Sequence, residues 1–255
     1  MNLSADALHV WCAYPADYAK RDSVAYQTAL SWLSTEEMTR WRSFRFDKHR
    51  NEYLATRALI RTTLSNYYEI APETWFFPRN SYGKPSAKPI IDLQFNLSNT
   101  LGLIVCLVSR NGSVGIDTEP LSRAEEIDSV ATEYFSDLEL TELNSLSSQA
   151  RPDRSLSLWT LKEAYIKARG YGLSIPLDKF SFLFNKTDNL QLLIDNSLND
   201  RTENWRYGLL EFANHRIAYC ASIKHHPTLT LFESRTISPP KIVSVDEYKI
   251  LTAES

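Results

Sequence analysis

The chain has 255 residues, 43% of them hydrophobic, and a formal net charge of −3. That length accommodates one large domain or two compact halves, each with its own core. The charge balance excludes a general polyanion binder, so any attraction to phosphate must come from local clusters, and no apolar stretch is long enough to span a bilayer.

Met1 to Pro15 carries Asp6 and lacks a basic leader ahead of an apolar run, so no secretory signal is expected. Of the three cysteines, Cys12, Cys106 and Cys220, the last two sit in apolar runs that read as buried strands. Core thiols in a reducing cytoplasm are the expectation. The histidines show no zinc-ligand spacing with them.

From Thr35 to Tyr68, Phe44, Tyr53, Leu54, Ala58, Ile60, Leu64 and Tyr67 recur at steps near three and four, the period of a helix, which Ala71-Pro72 ends. Asn80 to Pro85 is a turn-rich loop. Phe95 to Ser98 and Leu103 to Val108 read as strands, Arg110-Asn111-Gly112 as a hairpin turn, and Val114 to Glu119 as the next strand. Glu125 to Leu146 reads as helical and Ser147 to Pro152 as a polar surface loop. Ser155 to Arg169 reads as a strong helix stopped by Gly170 and Gly172. Phe180 to Phe184, Leu190 to Ile194, Trp205 to Phe212 and Ile217 to Ile223 look like strands, and the tail after Phe232 is expected to be an appendage. The order of elements divides near Gly112 into an N-terminal lobe (1–112), a C-terminal lobe (113–232) and a tail (233–255). Each half has a long helix followed by short apolar strands, which suggests two similar lobes facing each other across a ligand cleft.

The clearest chemistry lies in Val114-Gly115-Ile116-Asp117-Thr118-Glu119. A strand sends alternate side chains to opposite faces, so Asp117 and Glu119 share one face and Val114, Ile116 and Thr118 the other. Adjacent carboxylates repel, and a hard divalent cation such as magnesium removes that cost. A solvent-facing strand end with two ordinary acids is the competing reading. Along Trp159 to Lys167, helical spacing brings Trp159, Glu163, Ile166 and Lys167 to one side. Here the competing reading is an ordinary i,i+4 ion pair worth ~0.3–0.5 kcal/mol, but the apolar neighbours favour a site. Together, Asp117, Glu119 and Glu163 suit a metal bridging two phosphoryl groups, with Lys162 and Lys167 neutralising phosphate oxygens and a leaving group.

Ser98, Asn99 and Thr100 offer short polar groups beside backbone N–H groups, as an anion cradle or as a satisfied turn. Gly83-Lys84-Pro85 offers close backbone approach, a charge and a fixed φ. Arg57 and Arg61, four apart, can point together at one phosphate. A nucleic-acid stripe is disfavoured by the acidic total.

These pieces occur in one order. Tyr82-Gly83-Lys84-Pro85, Phe95-Asn96-Leu97-Ser98, Gly115-Ile116-Asp117-Thr118-Glu119, Phe135-Ser136-Asp137-Leu138-Glu139 and Trp159 to Lys167, continued by Gly170 to Leu177, resemble the Sfp-type 4′-phosphopantetheinyl transferases from about Arg40 to about His226. The resemblance implies an α/β (α+β) fold of two lobes related by pseudo-twofold symmetry, each a small sheet packed on a long helix, with coenzyme A and Mg2+ in the cleft. It implies Asp117, Glu119 and Glu163 as metal ligands and Lys167 at the pyrophosphate. Arg57, Gly83, Lys84, Pro85, Ser98 and Asn99 would hold the nucleotide and phosphates; Asp117 and, from the residue pattern alone, Lys162 are placed beside them. Where the family often has a phosphate-binding histidine this chain has Asn99, which donates a hydrogen bond but carries no charge.

The implied reaction is attack of a carrier-protein serine on the β-phosphorus of coenzyme A, releasing adenosine 3′,5′-bisphosphate. Glu163, or a metal-bound water it orients, would take the proton, Lys167 would stabilise or protonate the departing phosphate, and Glu139 would either assist or be a surface acid. Leu121 to Tyr134, with Ile127 and Val130, is a candidate carrier contact or a core-facing helix. A cytoplasmic monomer without nucleic-acid or membrane partners is expected. A metal-dependent nuclease or phosphohydrolase and a non-catalytic coenzyme A or carrier-protein binder are the rival readings. The first is weakened because Lys162-Glu163 falls on a helix rather than a strand.

Overall fold

The computed structural model describes residues 1–184, 190–235, 240–243 and 249–253. The chain opens with β1 (Ala7–Ala13), every residue of which is buried, as expected of a strand covered on both faces. Three helices follow: α1 (Val24–Ser31), α2 (Thr35–Ser43) and α3 (Asp47–Ser65). The single helix expected over Thr35 to Tyr68 is therefore two. Phe44 and Phe46 take extended backbone, with ψ of 130° and 139°, and Phe44 folds back against Tyr53.

Next come β2 (Gln94–Thr100), β3 (Leu103–Ser109) and β4 (Val114–Pro120). The helix expected over Glu125 to Leu146 is split into α4 (Ala124–Ser129), α5 (Ala131–Tyr134) and α6 (Asp137–Asn144). Ser136 and Glu139 form a reciprocal capping box that starts α6 afresh. The helix α7 (Arg151–Arg169) begins earlier than expected, because Pro152 occupies its first turn, where no N–H is needed. The remaining strands are β5 (Phe180–Phe184), β6 (Leu190–Ile194), β7 (Arg206–Phe212), β8 (His215–Ala221), β9 (Thr228–Glu233), β10 (Lys241–Ile242) and β11 (Lys249–Ala253).

Two sheets carry the fold, in the orders β10-β9-β1-β3-β2 and β11-β7-β8-β4, with β5-β6 as a separate ribbon. The repeat is topological. In β1–α3–β2–β3 and again in β4–α7–β7–β8, the first strand pairs antiparallel with the last and the last with the middle one. The two sheets share an apolar interface that includes Leu8, Val10, Val105, Ile116, Ile217 and Tyr219. Strand alternation sends the intervening residues outward. Trp11 and Cys106 pack toward Leu54 and Ala58 of α3, and Ala218 and Cys220 toward Leu161 and Ala164 of α7. The layers are thus helix, sheet, sheet, helix, the two-lobed α/β arrangement implied by the resemblance.

The end of the chain corrects the expectation of an appendage. β10 pairs with β9, and β11 pairs with β7 of the second lobe; β9 itself, expected in the C-terminal lobe (113–232), lies parallel to β1 in the first lobe's sheet, which corrects that boundary too. Without them β1 and β7 would be open edges with unpaired backbone groups. Phe232 also stacks on Trp11, with ring centroids 4.6 Å apart. No helix among the described residues is long and apolar enough to cross a membrane.

Candidate active site

β4 and β2 are edge strands of different sheets, and they lie against each other. The backbone N–H of Ile116 donates to Asn96 Oδ1 at 3.0 Å, so a side chain of β2 satisfies a donor that no strand takes. On its outer face β4 meets α7 with Gly115 as the point of closest approach. A Cβ there would stand 2.0 Å from the carbonyl oxygen of Ala164 and 2.3 Å from the nitrogen of Ala168. Only glycine lets the helix lie this close, and the contact brings Glu163 and Lys167 beside Asp117.

Lys167 Nζ donates to Asp117 Oδ1 at 2.6 Å and to Ser98 Oγ at 2.9 Å, and Ser98 Oγ donates to the same carboxylate oxygen at 2.8 Å. One residue from the first lobe and two from the second thus meet at one point. The other carboxylate oxygen of Asp117, Oδ2, is buried with no hydrogen-bond partner. Glu119 accepts from Arg123 Nη1 at 2.7 Å. Burial, then the charge of Asp117, raises the pKa of Glu163, against the pull of Lys167. Glu119 is likewise raised by burial and by Asp117, against the pull of Arg123. Three acids therefore feel one another in a partly dry setting. A hard cation suits that donor set: it would engage the orphaned Oδ2 and relieve the two raised carboxyls. Among the described residues no three acids stand ready-made at metal-ligand spacing.

Beside this cluster opens a cleft of about 430 Å³. Phe44, Tyr53 and Arg57 line one side, Gly83, Lys84 and Pro85 another, and Glu163, Ile166 and Lys167 the third; Asn99 also faces it. Ser98 and Asp117 reach it through Lys167. Ser98 to Thr100 are strand residues of β2, paired with β3, rather than the turn considered from sequence. Asn99 Nδ2 donates to the carboxylate of Glu52.

Of the other expected phosphate ligands, Lys162 and Arg61 lie away from the cleft, and Arg57 lines it with its charge engaged by Glu37. Lys162 is 1% exposed, pairs with Glu139 at 2.8 Å, and donates to the carbonyls of Leu177 and Phe180 at 2.8 and 2.6 Å. Successive helical residues are rotated by about 100°, so with Glu163 on the cleft Lys162 points into the lobe's interior. Glu139 is neither a surface acid nor an assistant at the cleft: it is fully buried and accepts from the N–H groups of Ser136 and Phe182. Arg57 and Arg61 converge on a carboxylate of the chain itself, Glu37, at 3.2 and 2.5 Å, and Arg61 is buried away from the cleft. Ile127 belongs to the core of the second lobe, which removes it as a carrier contact.

Sequence reasoning did not single out Glu37, Glu52 or Arg123. Glu37 carried a signal, the Ser34-x-x-Glu37 capping box. Glu52, Tyr53, Thr56 and Arg57 form a helical stripe along the cleft.

Residues 113–220 match the 4′-phosphopantetheinyl transferase superfamily, and residues 20–111 match the 4′-phosphopantetheinyl transferase N-terminal family. The 4′-phosphopantetheinyl transferase HetI of Nostoc sp. is 30% identical over 195 residues, covering 75% of this chain and 80% of its own. The chain belongs to the 4′-phosphopantetheinyl transferases of the Sfp type. Sfp of Bacillus subtilis is 28% identical over 171 residues, 66% of this chain and 74% of its own. The transferase gsp of Aneurinibacillus migulanus is 38% identical over 133 residues, 52% and 54% of the two chains. As a phosphopantetheinyl transferase the protein moves the phosphopantetheine arm of coenzyme A to a carrier-protein serine. Neither the nuclease nor the non-catalytic binder survives that membership.

Proposed function

We propose that this phosphopantetheinyl transferase works with Mg2+ held by Asp117, Glu119 and Glu163, and with coenzyme A laid along the cleft between the lobes. The observation that carries the reading is the convergence of Ser98, Asp117 and Lys167 within 2.9 Å of one another's polar atoms, with Glu163 in the same cleft wall. Bound there, the ion supplies charge compensation for a pyrophosphate. Asp117 Oδ2, buried without a partner, is a ready oxygen donor to it.

Lys167 lines the cleft and carries the charge that a departing phosphate needs. Glu163 faces the same space as Lys167, so its carboxylate takes the proton of the carrier serine as the serine oxygen bonds to the β-phosphorus. The bond from that phosphorus to the bridging oxygen breaks, and the electron pair leaves with adenosine 3′,5′-bisphosphate toward Lys167. Gly83 and Pro85 offer the nucleotide a close backbone edge, and Tyr53 and Phe44 a flat apolar wall. Three buried cysteines and two lobes within one chain support a cytoplasmic monomer.

The test is mass spectrometry of several apo-carrier proteins incubated with the protein, coenzyme A and Mg2+. The expected result is the mass gain of one phosphopantetheine arm, lost on chelation and lost in Asp117→Asn and Glu163→Gln with the fold intact. Full activity in both variants would refute the site assignment.

A further inference from the structure

Helix α7 ends at Gly170, whose φ of 75° turns the chain aside. The N–H of Gly170 returns to the carbonyl of Ile166 at 3.0 Å. The next two carbonyls, of Lys167 and Ala168, belong to the last turn and have no partner inside the helix. One side chain from the other lobe meets both: Lys84 Nζ donates to Lys167 O at 3.1 Å and to Ala168 O at 3.2 Å. The same ammonium stands 3.4 Å from the carbonyl of Val114, the first residue of β4. An ammonium has three donors, and three main-chain oxygens take them. None is left for a phosphate.

The surroundings fit that task. A Cβ on Gly170 would stand 3.2 Å from Lys84 Cδ, so the glycine leaves room for the lysine stem. The loop presenting Lys84 is braced, with Asn80 Oδ1 accepting from the N–H groups of Tyr82 and Lys84 at 2.9 Å, and Arg79 donating to Gly83 O at 2.9 Å. A cation at a helix C-terminus also meets the negative end of the macrodipole.

We propose that Lys84 is a positioning residue that fastens the end of α7 to the start of β4 and so fixes Lys167 against Asp117, rather than a ligand of coenzyme A phosphate. The proposal rests on the reading that Lys167, Glu163 and Asp117 serve the transfer. The link is short. Lys84 grips the main-chain oxygen of the residue whose side chain reaches Asp117, and Val114 lies on the same strand as Asp117.

The experiment compares steady-state transfer by wild type and Lys84→Met, with coenzyme A and with 3′-dephospho-coenzyme A, onto an apo-carrier. The expected result is a kcat lower on the order of tenfold or more. The KM for coenzyme A stays within about twofold, and the preference between the two coenzymes is that of wild type. A raised KM with kcat unchanged, or a collapsed preference, overturns the proposal. Amine-selective acylation of wild type with peptide mass mapping serves where Lys84→Met does not fold. Lys84 is expected to be protected equally with and without coenzyme A, and protection appearing only with coenzyme A overturns the clasp. A wild type inert on every apo-carrier would sink the transfer mechanism, while the acylation pattern still decides the clasp.

Discussion

Gly115→Ala is the sharpest perturbation of the site, because it adds one methyl group at the β4–α7 contact and removes none of the polar groups at the cleft. That methyl would sit 2.0 Å from Ala164 O and 2.3 Å from Ala168 N, and Cβ contacts under 3.0 Å essentially never occur. Both atoms are backbone of α7, so no side chain can swing away, and the helix as a body must withdraw by about 1 Å. Overpacking of this kind costs about 1–3 kcal/mol, against a total stability of roughly 5–15 kcal/mol for a native protein, so the variant stays folded. The withdrawal carries Lys167 and Glu163 away from Asp117 and Ser98. A misplacement of about 1 Å at a reacting centre costs on the order of a hundredfold in rate. The assay is single-turnover transfer to an apo-carrier, with a urea titration to measure stability. Transfer within about twofold of wild type would refute the argument that the β4–α7 contact sets the geometry.

Three further outcomes are expected. The pKa of Glu163 is raised in the fold above its ordinary 4.5, so ionising it costs stability that is present below that value and lost as pH rises through the folded pKa. Glu163→Gln removes this slope. Its melting temperature should gain on wild type as pH climbs from 4.5 toward neutrality without Mg2+, and a constant difference would contradict the cause assigned. Lys162→Met should cost about 3–5 kcal/mol in a urea titration, because Glu139 is left buried and unpaired. A variant with wild-type stability but a raised KM for coenzyme A would restore Lys162 to the phosphates. Phe232→Ala should cost about 3–5 kcal/mol by removing a buried ring stacked on Trp11; no loss would contradict the packing of β9 onto the first lobe.

The sequence made legible what alternation and local order encode. Asp117 and Glu119 share a face because strands alternate, and Glu163 and Lys167 share a face because helices repeat at three and four. These local periods were enough to bring Lys167 onto Asp117 and to put Glu163 and Lys167 in the cleft wall; Glu119 lies outside that wall and pairs with Arg123. β1 was not read from Ala7 to Ala13 because a strand buried on both faces shows no alternation. The placement of β9 beside β1 depends on a pairing between residues more than two hundred positions apart, such as Trp11 with Phe232, which no local pattern carries.

Charge was the least legible property. Lys84, Lys162 and Lys167 look alike in sequence, yet their ammonium groups meet three carbonyls, a buried glutamate and a cleft carboxylate respectively. What separates them is helix phase and reach. Lys162 is one residue from Glu163 and so turned by about 100° into the interior, whereas Lys167 is one turn on and returns to the cleft. Lys84 reaches the same helix from the opposite lobe and spends its donors on main-chain oxygens. A cation near the cleft is a candidate phosphate ligand only when a donor remains unspent, and by that criterion the proposed role falls to Lys167, whose ammonium gives two of its three donors to Asp117 and Ser98.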